Sequence, residues 1–206
     1  MSNPANESTG QTDGGTRSRI LDVAEPLVQV RGFNGFSYAN IAAELALTKA
    51  SLHYHFRGKT ELGEALMARY SERFAAALQT IDERGLSAPA KLDAYAGLYA
   101  DVIRGRRMCL CGMLAAEYQT LPESLRGAVT RFFDANEAWL AKVLEKGRHD
   151  GNLRFDGDVR ATARSIVGGL EGAMLVARSY DDHERFESAA ALLLESFARP
   201  ATKAAA

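Results

Sequence analysis

The sequence predicts an all-α protein with about nine helices, and three observations support this fold class. After residue 16, apolar residues recur at spacings of three and four, which place their side chains on one face of a helix. The 206-residue chain has 5 Pro and no stretch with the apolar and polar alternation of a strand. Its hydrophobic content of 47% is enough to build a substantial core.

The N-terminal segment changes character at residue 16. Residues 1–15 are polar, rich in Ser, Asn, Thr and Gly, and lack the apolar run of a signal peptide, so we predict a disordered tail. Thr16 is predicted to cap a first helix that ends at Gly32. Pro26 falls inside this helix and predicts a local kink. The apolar stripe of the helix consists of Ile20, Val23, Ala24, Leu27 and Val28.

Two short helices follow within the stretch "SYANIAAELALTKASLHYHFRGKTEL". Ser37 and Thr48 each precede a helical segment, where a hydroxyl can accept a hydrogen bond from a first-turn N–H. The second helix is barely two turns long, has Leu52 and Phe56 as apolar anchors, and is too short to be stable alone. Two such helices braced by a longer one predict a helix-turn-helix, whose second helix enters the DNA major groove.

The polar side chains of the second short helix are suited to DNA, although an ordinary surface helix is the alternative. Residues 17–59 carry a net charge of +3, whereas the whole chain carries −1, so a basic N-terminal segment precedes an acidic remainder. Lys49 and Ser51, in the first turn, are placed to reach bases or their flanking phosphates. The residues suited to hydrogen bonds with phosphate oxygens are His53, Tyr54, His55 and Lys59.

Six further helices are predicted. A long one covers residues 59–81 and carries Glu61 in its first turn, where a carboxylate interacts favourably with the helix dipole. Pro122 marks another helix start, and the turn-rich stretch "HDGNLRFDGD" separates two of the later helices. The predicted helices after the long one cover residues 89–104, 108–120, 122–148, 158–179 and 184–199.

The stretch around the two short helices resembles the DNA-binding signature of the tetracycline-repressor (TetR) family of bacterial transcriptional regulators. The resemblance covers about residues 17–65. Two positions depart from the family pattern: Ala46 stands in the turn where Gly is frequent, and His53 stands where Tyr is more frequent. The positions that match are Ile41, Ala42, Thr48, Lys49, Ala50, Ser51, Leu52, His53, Tyr54, His55, Phe56 and Lys59.

The resemblance implies a helix-turn-helix DNA-binding domain over residues 16–60 and a larger helical effector-binding and dimerisation domain over residues 61–200. A homodimer would bind a palindromic operator in double-stranded DNA and release it when a small molecule binds. Repression is expected, and activation is left open. The implied DNA-contacting residues are Ser37, Tyr38, Thr48, Lys49, Ala50, Ser51, His53, Tyr54, His55 and Lys59.

The last two predicted helices are the expected dimer interface. Their apolar residues recur at helical spacing, and small residues in "GGLEGAM" would let a partner helix approach closely. A face buried within one chain is the alternative from the pattern alone, and the resemblance favours a four-helix bundle across the dimer. The periodic residues are Val159, Ala163, Ile166, Leu170, Ala173 and Ala177, then Phe186, Ala190, Leu193 and Phe197.

The middle helices are expected to hold the effector. Each aromatic or Met candidate can equally be plain core, whereas a carboxylate inside an apolar helix is costly to bury without a partner. Surface exposure is the simpler account of Glu117 and Glu171. The candidate ligand-binding residues are Tyr95, Tyr99, Met113, Glu117, Phe133, Asn136, Trp139, Glu171 and Met174.

The stretch "RGRRMCLCGML" suggests a redox-sensing thiol at Cys109 or Cys111, because nearby arginines and a helix start would favour the thiolate. The two sulfurs are expected on different helix faces, which disfavours a disulfide between them, and two buried core cysteines are the alternative. With two Cys and no apolar membrane span, we expect a reduced cytoplasmic protein.

No catalytic motif, phosphate-binding loop or metal-binding spacing of His and Cys is present in the sequence, so we expect no cofactor, no bound metal and no enzymatic activity. No membrane partner is expected either. The alternative function is a helical enzyme or ligand-carrier protein with an incidental helix-turn-helix.

Overall fold

The chain forms nine α-helices and one short 3-10 helix, with no strand, over the residues that the computed structural model describes, which are 9–198, with side chains for 14–197. A 3-10 turn at Tyr118–Thr120 follows the sixth helix. The α-helices are α1 (Thr9–Arg31), α2 (Tyr38–Leu45), α3 (Lys49–His55), α4 (Lys59–Glu83), α5 (Ala88–Arg104), α6 (Leu110–Ala116), α7 (Glu123–His149), α8 (Val159–Ser179) and α9 (His183–Ala198).

The number and order of the helices agree with the prediction, and the differences lie at their ends. Helix α1 begins at Thr9, so residues 9–15 of the predicted disordered tail are helical, because a helix nucleated by packed turns extends easily beyond them. Residues 1–8 and Arg199 lie outside the described residues. Pro26 lies within α1. The predicted helix over 108–120 is shorter, since Cys109 is only the N-cap of α6.

Helices α1 to α3 pack against one another, and we call these three helices the small domain; their buried side chains belong to the same apolar core as those of the later helices. Leu52 and Phe56, the predicted anchors of the second short helix, are each 1% exposed. The side chains that they join at this core include Ile20, Ala24, Val28, Phe36 and Ile41.

Helices α4 to α9 form the larger body. Helix α8 packs against α7 and α9, and α5 lies against α7 and α9, so that every one of these helices contributes to one apolar core. Aromatic rings of α4, α5 and α7 contact one another within that core. The ring centre of Phe74 lies 6.1 Å from those of Tyr95 and Tyr99 and 5.1 Å from that of Phe132. No helix in the described range is long and apolar enough to cross a membrane.

Charged side chains join α1 to α4, and therefore the small domain to the body. Glu25 is buried and pairs with Arg69 at 3.1 Å and with Arg73 at 2.5 Å. Arg69 also reaches Asp22 at 2.6 Å. A buried carboxylate that is paired by two guanidinium groups avoids the large penalty of an unpaired buried charge.

Candidate functional site

Helix α3 is held by caps at both ends and by its two apolar anchors. The Thr48 hydroxyl accepts a hydrogen bond from the Ser51 N–H at 3.1 Å, as the sequence predicts. The Phe56 N–H donates to the Leu52 carbonyl and ends the helix. The arrangement fixes one face of a seven-residue helix inside the small domain and leaves the other face in solvent.

The exposed face of α3 carries most of the predicted DNA-contacting residues. Lys49, Ala50 and His53 are exposed, and Tyr54 is 78% exposed. Two further residues, Ser51 and His55, are half-buried. This face offers a cation, hydroxyls and imidazoles without an acidic side chain on α3 itself, which suits contacts with phosphates and base edges.

Two arginines that lie beside α3, Arg17 and Arg57, were not among the DNA contacts predicted from the sequence. Arg17 of α1 donates to the His55 carbonyl at 2.6 Å and lies 4.0 Å from the centre of the Phe56 ring. Arg57, directly after α3, is exposed and lines a surface depression together with Arg17 and Tyr54. The basic character of residues 17–59 was the available signal, but it does not show which cations lie beside α3.

Two other predicted DNA contacts, Tyr38 and Ser37, have hydrogen-bond partners within the chain, and only Tyr38 is buried. Tyr38 is buried and its hydroxyl donates to the Phe56 carbonyl at 2.9 Å, so it is not available to DNA. Burial and then the charge of Glu61 raise the pKa of Tyr38 to about 12. Ser37 is exposed at the N-cap of α2, where its hydroxyl and N–H both donate to the side-chain oxygen of Asn40.

Lys59, a further predicted phosphate contact, is half-buried, and its ammonium group is engaged by the loop between α1 and α2. The Nζ atom donates to the carbonyl oxygens of Phe33 at 2.5 Å and Phe36 at 2.7 Å, and it lies over both aromatic rings. Burial lowers the pKa of Lys59, and the nearby charge of Glu117 opposes that effect. The family pattern places a lysine here, but only the fold shows which atoms it holds.

Ala46 adopts a left-handed backbone conformation in the turn between α2 and α3, with φ 52° and ψ 38°. Its N–H donates to the Ala42 carbonyl and closes α2. A residue with a Cβ in this conformation costs about 1 kcal/mol relative to Gly. The turn therefore has the geometry for which glycine is frequent in the family, and this chain tolerates the strain.

Glu117, which was predicted to bind the effector, contacts the α1–α2 loop of the small domain instead. Its carboxylate accepts hydrogen bonds from the N–H of Phe33 at 2.5 Å and from the N–H of Asn34 at 3.3 Å. The Asn34 side chain donates to the Thr120 hydroxyl at 2.8 Å. These bonds join the end of α6 to the α1–α2 loop, so the carboxylate is not available to a ligand among the middle helices.

Most of the other residues that were predicted to bind the effector belong to the core or pack against it, which is what the alternative interpretation predicted. Tyr95 and Tyr99 are buried and hydrogen-bonded to each other, and Tyr95 also donates to Asn136 at 3.1 Å. Met174 is fully buried. Three others are half-buried and have side-chain contacts of their own: Met113 with Arg178, Phe133 with Phe132, and Trp139 with Tyr95 and Asp82.

A groove of about 580 Å³ lies between α4 and α7 and is the best candidate for an effector site among the described residues. Asn136 is the predicted ligand residue that lines it. Small side chains on both helices, such as Ala75 and Ala128, leave the space open, while Glu64, Glu72 and Arg131 add charge. Its apolar lining comes from Met67, Phe74, Leu78 and Phe132.

Cys109, Cys111 and Glu171 form a buried cluster beneath α6. Both cysteines are free and buried, so neither faces solvent. The Tyr70 hydroxyl donates to the Cys109 sulfur at 3.5 Å, and the Cys111 sulfur lies 3.8 Å from that of Met67. Cys109 precedes α6, and its ψ of 130° is not helical. The expectation that helical spacing separates the two sulfurs therefore does not apply.

Burial and hydrogen bonding act in opposite directions on these groups. Burial opposes ionisation of Cys109, but hydrogen bonds with Cys111, Tyr70 and Glu171 outweigh it and lower its pKa to about 6. Burial raises the pKa of Cys111. Burial and the neighbouring Cys109 also raise the pKa of Glu171, both of whose carboxyl oxygens are buried. The carboxyl group of Glu171 is thus not at the surface, and the residue as a whole is half-buried.

The arginines that the sequence placed near the thiols have other partners. Arg104 pairs with Glu187 at 2.6 Å, Arg106 with Asp181 at 2.9 Å, and Arg107 donates to the Gln29 side chain at 3.3 Å. The environment of Cys109 therefore depends on Tyr70 and Glu171, which come from α4 and α8 and are distant in sequence. Within the described part of the chain, no group of three or more His, Cys, Asp or Glu could hold a metal ion.

The apolar stripe predicted as the dimer interface is buried within the single chain. Ala163, Ile166, Leu170 and Ala177 are 0% exposed and belong to the core. Helices α8 and α9 nevertheless expose other large apolar residues. Leu175 and Val176 are 54% and 55% exposed, and Leu192 is 72% exposed.

Comparison with known proteins agrees with this architecture. Residues 20–66 match the model "Bacterial regulatory proteins, tetR family", and residues 88–193 match "Tetracyclin repressor-like, C-terminal domain". The HTH-type transcriptional repressor NemR of Escherichia coli K12 is 28% identical over 92% of this chain and 98% of its own length. A crystal structure of E. coli NemR in a reduced form gives a TM-score of 0.77 at 26% identity, covering 91% of this chain and 100% of the other.

Two further solved structures are more than 30% identical to this chain. A TetR-family regulator from Agrobacterium tumefaciens superimposes with a TM-score of 0.88 at 31% identity, covering 91% of this chain and all of the other. A TetR transcriptional regulator from Legionella pneumophila superimposes with a TM-score of 0.76 at 33% identity, covering 94% of this chain and 100% of the other. Together with the capped recognition helix and the helical body, these matches show that the chain belongs to the TetR family of DNA-binding transcriptional regulators.

Proposed function

We propose that the protein is a homodimeric repressor that binds a palindromic operator through α3 and is released by a small molecule. The observation that carries the proposal is the anchoring of α3, with Leu52 and Phe56 buried and Lys49 and Tyr54 presented to solvent. A dimer would place two such helices in successive major grooves, and operator symmetry would follow protein symmetry.

Operator binding is tested with DNA from the region upstream of the protein's own gene, by fluorescence anisotropy at two salt concentrations. We expect a specific complex and a much weaker one with random DNA. Changing Lys49 or Ser51 to Ala should alter sequence preference, whereas the exposed Glu123→Gln change serves as a control that leaves it unaltered. Equal affinity for the two DNAs would contradict the proposal.

The exposed apolar residues of α8 and α9 support the second part of the proposal, a dimer interface. Leu175, Val176 and Leu192 lie on the two helices whose other faces are buried in the core, and Gly168 and Gly172 beside them leave room for close approach. Leu192→Arg should convert the dimer to a monomer in analytical ultracentrifugation. His183→Arg, at an exposed position on the opposite side of α9, is the control, and a dimer that survives Leu192→Arg would contradict this interface.

The groove between α4 and α7 supports the third part, a small and largely apolar effector. Its apolar lining and its charged side chains resemble ordinary ligand sites, which combine an apolar body with a few polar groups. Ala135→Trp should fill the groove and abolish thermal stabilisation by compounds that bind it, whereas Ala138→Trp, one helical turn away, should not. Compounds that stabilise both variants equally would place the effector elsewhere.

The buried cysteine cluster favours a second candidate, regulation through Cys109. A hydroperoxide could transfer oxygen to the Cys109 thiolate: the S–O bond forms, the O–O bond breaks, and the leaving oxygen takes the proton held by Glu171. The product is a sulfenic acid and water or an alcohol. That E. coli NemR has been crystallised in a named reduced form is compatible with such regulation in this chain.

The thiol candidate is tested by measuring operator affinity before and after mild peroxide. The wild type should lose affinity, and Cys109→Ser should not respond, while Cys111→Ser keeps part of the response. A wild type that retains full affinity while mass spectrometry detects oxidised Cys109 would exclude this regulation.

A further inference from the structure

The α1–α2 loop is held from two sides by groups of opposite charge. On one side the Glu117 carboxylate accepts hydrogen bonds from the N–H groups of Phe33 and Asn34. On the other side the Lys59 ammonium donates to the carbonyls of Phe33 and Phe36. We call this arrangement the loop clamp. It uses main-chain donors and acceptors of one short loop, so the loop cannot move without breaking charge-assisted bonds on one side.

The backbone of the loop fits closely against the Glu117 side of the clamp. Gly32 has φ 81°, and a Cβ built on it would lie 2.7 Å from a carboxylate oxygen of Glu117. Only glycine therefore allows this approach at position 32. The loop leads directly into the Ser37 cap of α2, and α2 is joined to α3 by the Tyr38 hydroxyl.

Glu117 lies at one end of α6, and the buried cysteine cluster lies at the other. Cys109 is the N-cap of α6 and Glu117 its C-cap, so a rigid helix of seven residues, about 10 Å long, separates them. At the cysteine end, α6 approaches α8 so closely that a Cβ on Gly112 would collide with the Glu171 carboxylate. A displacement at this end is thus carried to the clamp by a helix too short to bend.

We infer that Glu117 is the positioning residue that couples the state of the effector domain to the operator-binding helices, through the loop clamp. The inference builds on the proposed effector control of operator binding and adds the residue that transmits it. Lys59 belongs to α4 and holds the loop whatever α6 does, whereas Glu117 is the C-cap of α6 and moves with that helix. Coupled equilibria of this kind typically change an affinity 5- to 150-fold.

The test uses a perturbation that needs no known effector. Gly112→Ala places a methyl group in the space of the Glu171 carboxylate, so the packing of α6 against α8 must change. Operator affinity is measured for the full-length protein by fluorescence anisotropy in a double-mutant cycle with Glu117→Gln. We expect Gly112→Ala to weaken operator binding at least fivefold alone and less than twofold in the Glu117→Gln background. Glu123→Gln, an exposed glutamate at the start of α7, is the matched control and should leave the fivefold effect intact.

Two outcomes overturn the inference: no effect of Gly112→Ala in the otherwise wild-type protein, or an equal effect in both backgrounds. Circular dichroism establishes that each variant is folded, and Glu117→Asp, which withdraws the carboxylate from the Phe33 and Asn34 N–H groups by one methylene, replaces Glu117→Gln if that variant unfolds.

A second comparison separates this inference from the proposed thiol response. Methyl methanethiosulfonate converts a thiolate to a mixed methyl disulfide and releases methanesulfinate. If labelled wild type and labelled Glu117→Gln lose the same affinity, Glu117 does not transmit the signal and the inference fails, while the thiol proposal stands. If labelling of Cys109 leaves wild-type affinity unchanged, the thiol proposal fails, and the Gly112→Ala cycle alone decides the inference.

Discussion

Tyr38 and Phe56 are joined across the helix-turn-helix by a buried hydrogen bond, in which the Tyr38 hydroxyl donates to the Phe56 carbonyl at 2.9 Å. The bond fixes the start of α2 against the end of α3. Since these two points lie on either side of the turn, the bond determines the angle between the two helices.

We predict that Tyr38→Phe lowers the free energy of unfolding by about 1–2 kcal/mol, because a buried carbonyl loses its donor. Urea denaturation measures the change. Tyr54→Phe removes the same hydroxyl from an exposed ring and should alter stability by less than about 0.5 kcal/mol. Similar losses of unfolding free energy for both variants would show that the buried hydrogen bond contributes no more to stability than an exposed hydroxyl does.

We predict that Lys59→Ala acts on stability rather than on phosphate binding. Loss of two charge-assisted bonds should cost about 2 kcal/mol and lower the melting temperature by about 4–8 °C. The dependence of operator affinity on salt should keep its slope, since no phosphate contact is lost. Lys49→Ala is the matched variant and should weaken operator binding with little change in melting temperature. A flatter dependence of operator affinity on salt for Lys59→Ala would show that Lys59 does contact a phosphate.

We predict that Ala46→Gly stabilises the protein by about 1 kcal/mol, because glycine adopts the left-handed conformation of this turn without strain. Thermal or urea unfolding measures the gain. Ala43→Gly, at an exposed position within α2, should instead destabilise the protein by about the same amount. Destabilisation by both substitutions would mean that the turn is not strained.

We predict that the ultraviolet absorbance of the Cys109 thiolate, which needs no reagent to reach the buried sulfur, rises with pH around pH 6. The pKa of Cys109 is lowered to about 6, so the thiolate forms above that pH, whereas an ordinary thiol requires about pH 8.5. Tyr70→Phe removes a hydrogen bond to the thiolate and should move the rise to higher pH. The ionisable groups that face Cys109 are Tyr70, Tyr95, Tyr99, Cys111 and Glu171.

Comparison of the wild type with Cys109→Ser and Cys111→Ser separates the absorbance of the two thiolates. The pKa of Cys111 is raised by burial, so Cys111 serves as the internal control and should ionise only at high pH. A rise near pH 8.5 for Cys109, unaltered by Tyr70→Phe, would contradict the prediction.

The sequence predicted the fold class and α3 well, because those features depend on local signals. Thr48 is a cap whose partner, Ser51, is three residues away, and the spacing of Leu52 and Phe56 is the period of the helix itself. Helical spacing on α8 likewise found a common face for Ile166 and Leu170. It did not show that this face is covered by the same chain rather than by a partner, because periodicity does not identify the partner.

The clamp residues could not be assigned from local pattern. Glu117 and Phe33 are 84 residues apart, and Lys59 and Phe36 are 23 apart. Both charged side chains bind main-chain atoms, which every residue provides, so the sequence contains no complementary side chain that would indicate the pairing. Cys109 depends in the same way on Tyr70 and Glu171, which only the packing of α4 and α8 against α6 brings close.

The position of Trp139 makes the protein's intrinsic fluorescence a selective probe. The chain has 1 Trp, its ring is stacked on Tyr95 at 5.6 Å, and its indole N–H donates to Asp82 at 2.9 Å. All three residues belong to α4, α5 and α7, at a distance from the operator-binding helices along the chain. Tryptophan emission therefore reports unfolding of the larger body alone, whereas far-ultraviolet circular dichroism sums every helix. Non-coincident transitions by the two signals would reveal that the small domain melts as a separate cooperative unit.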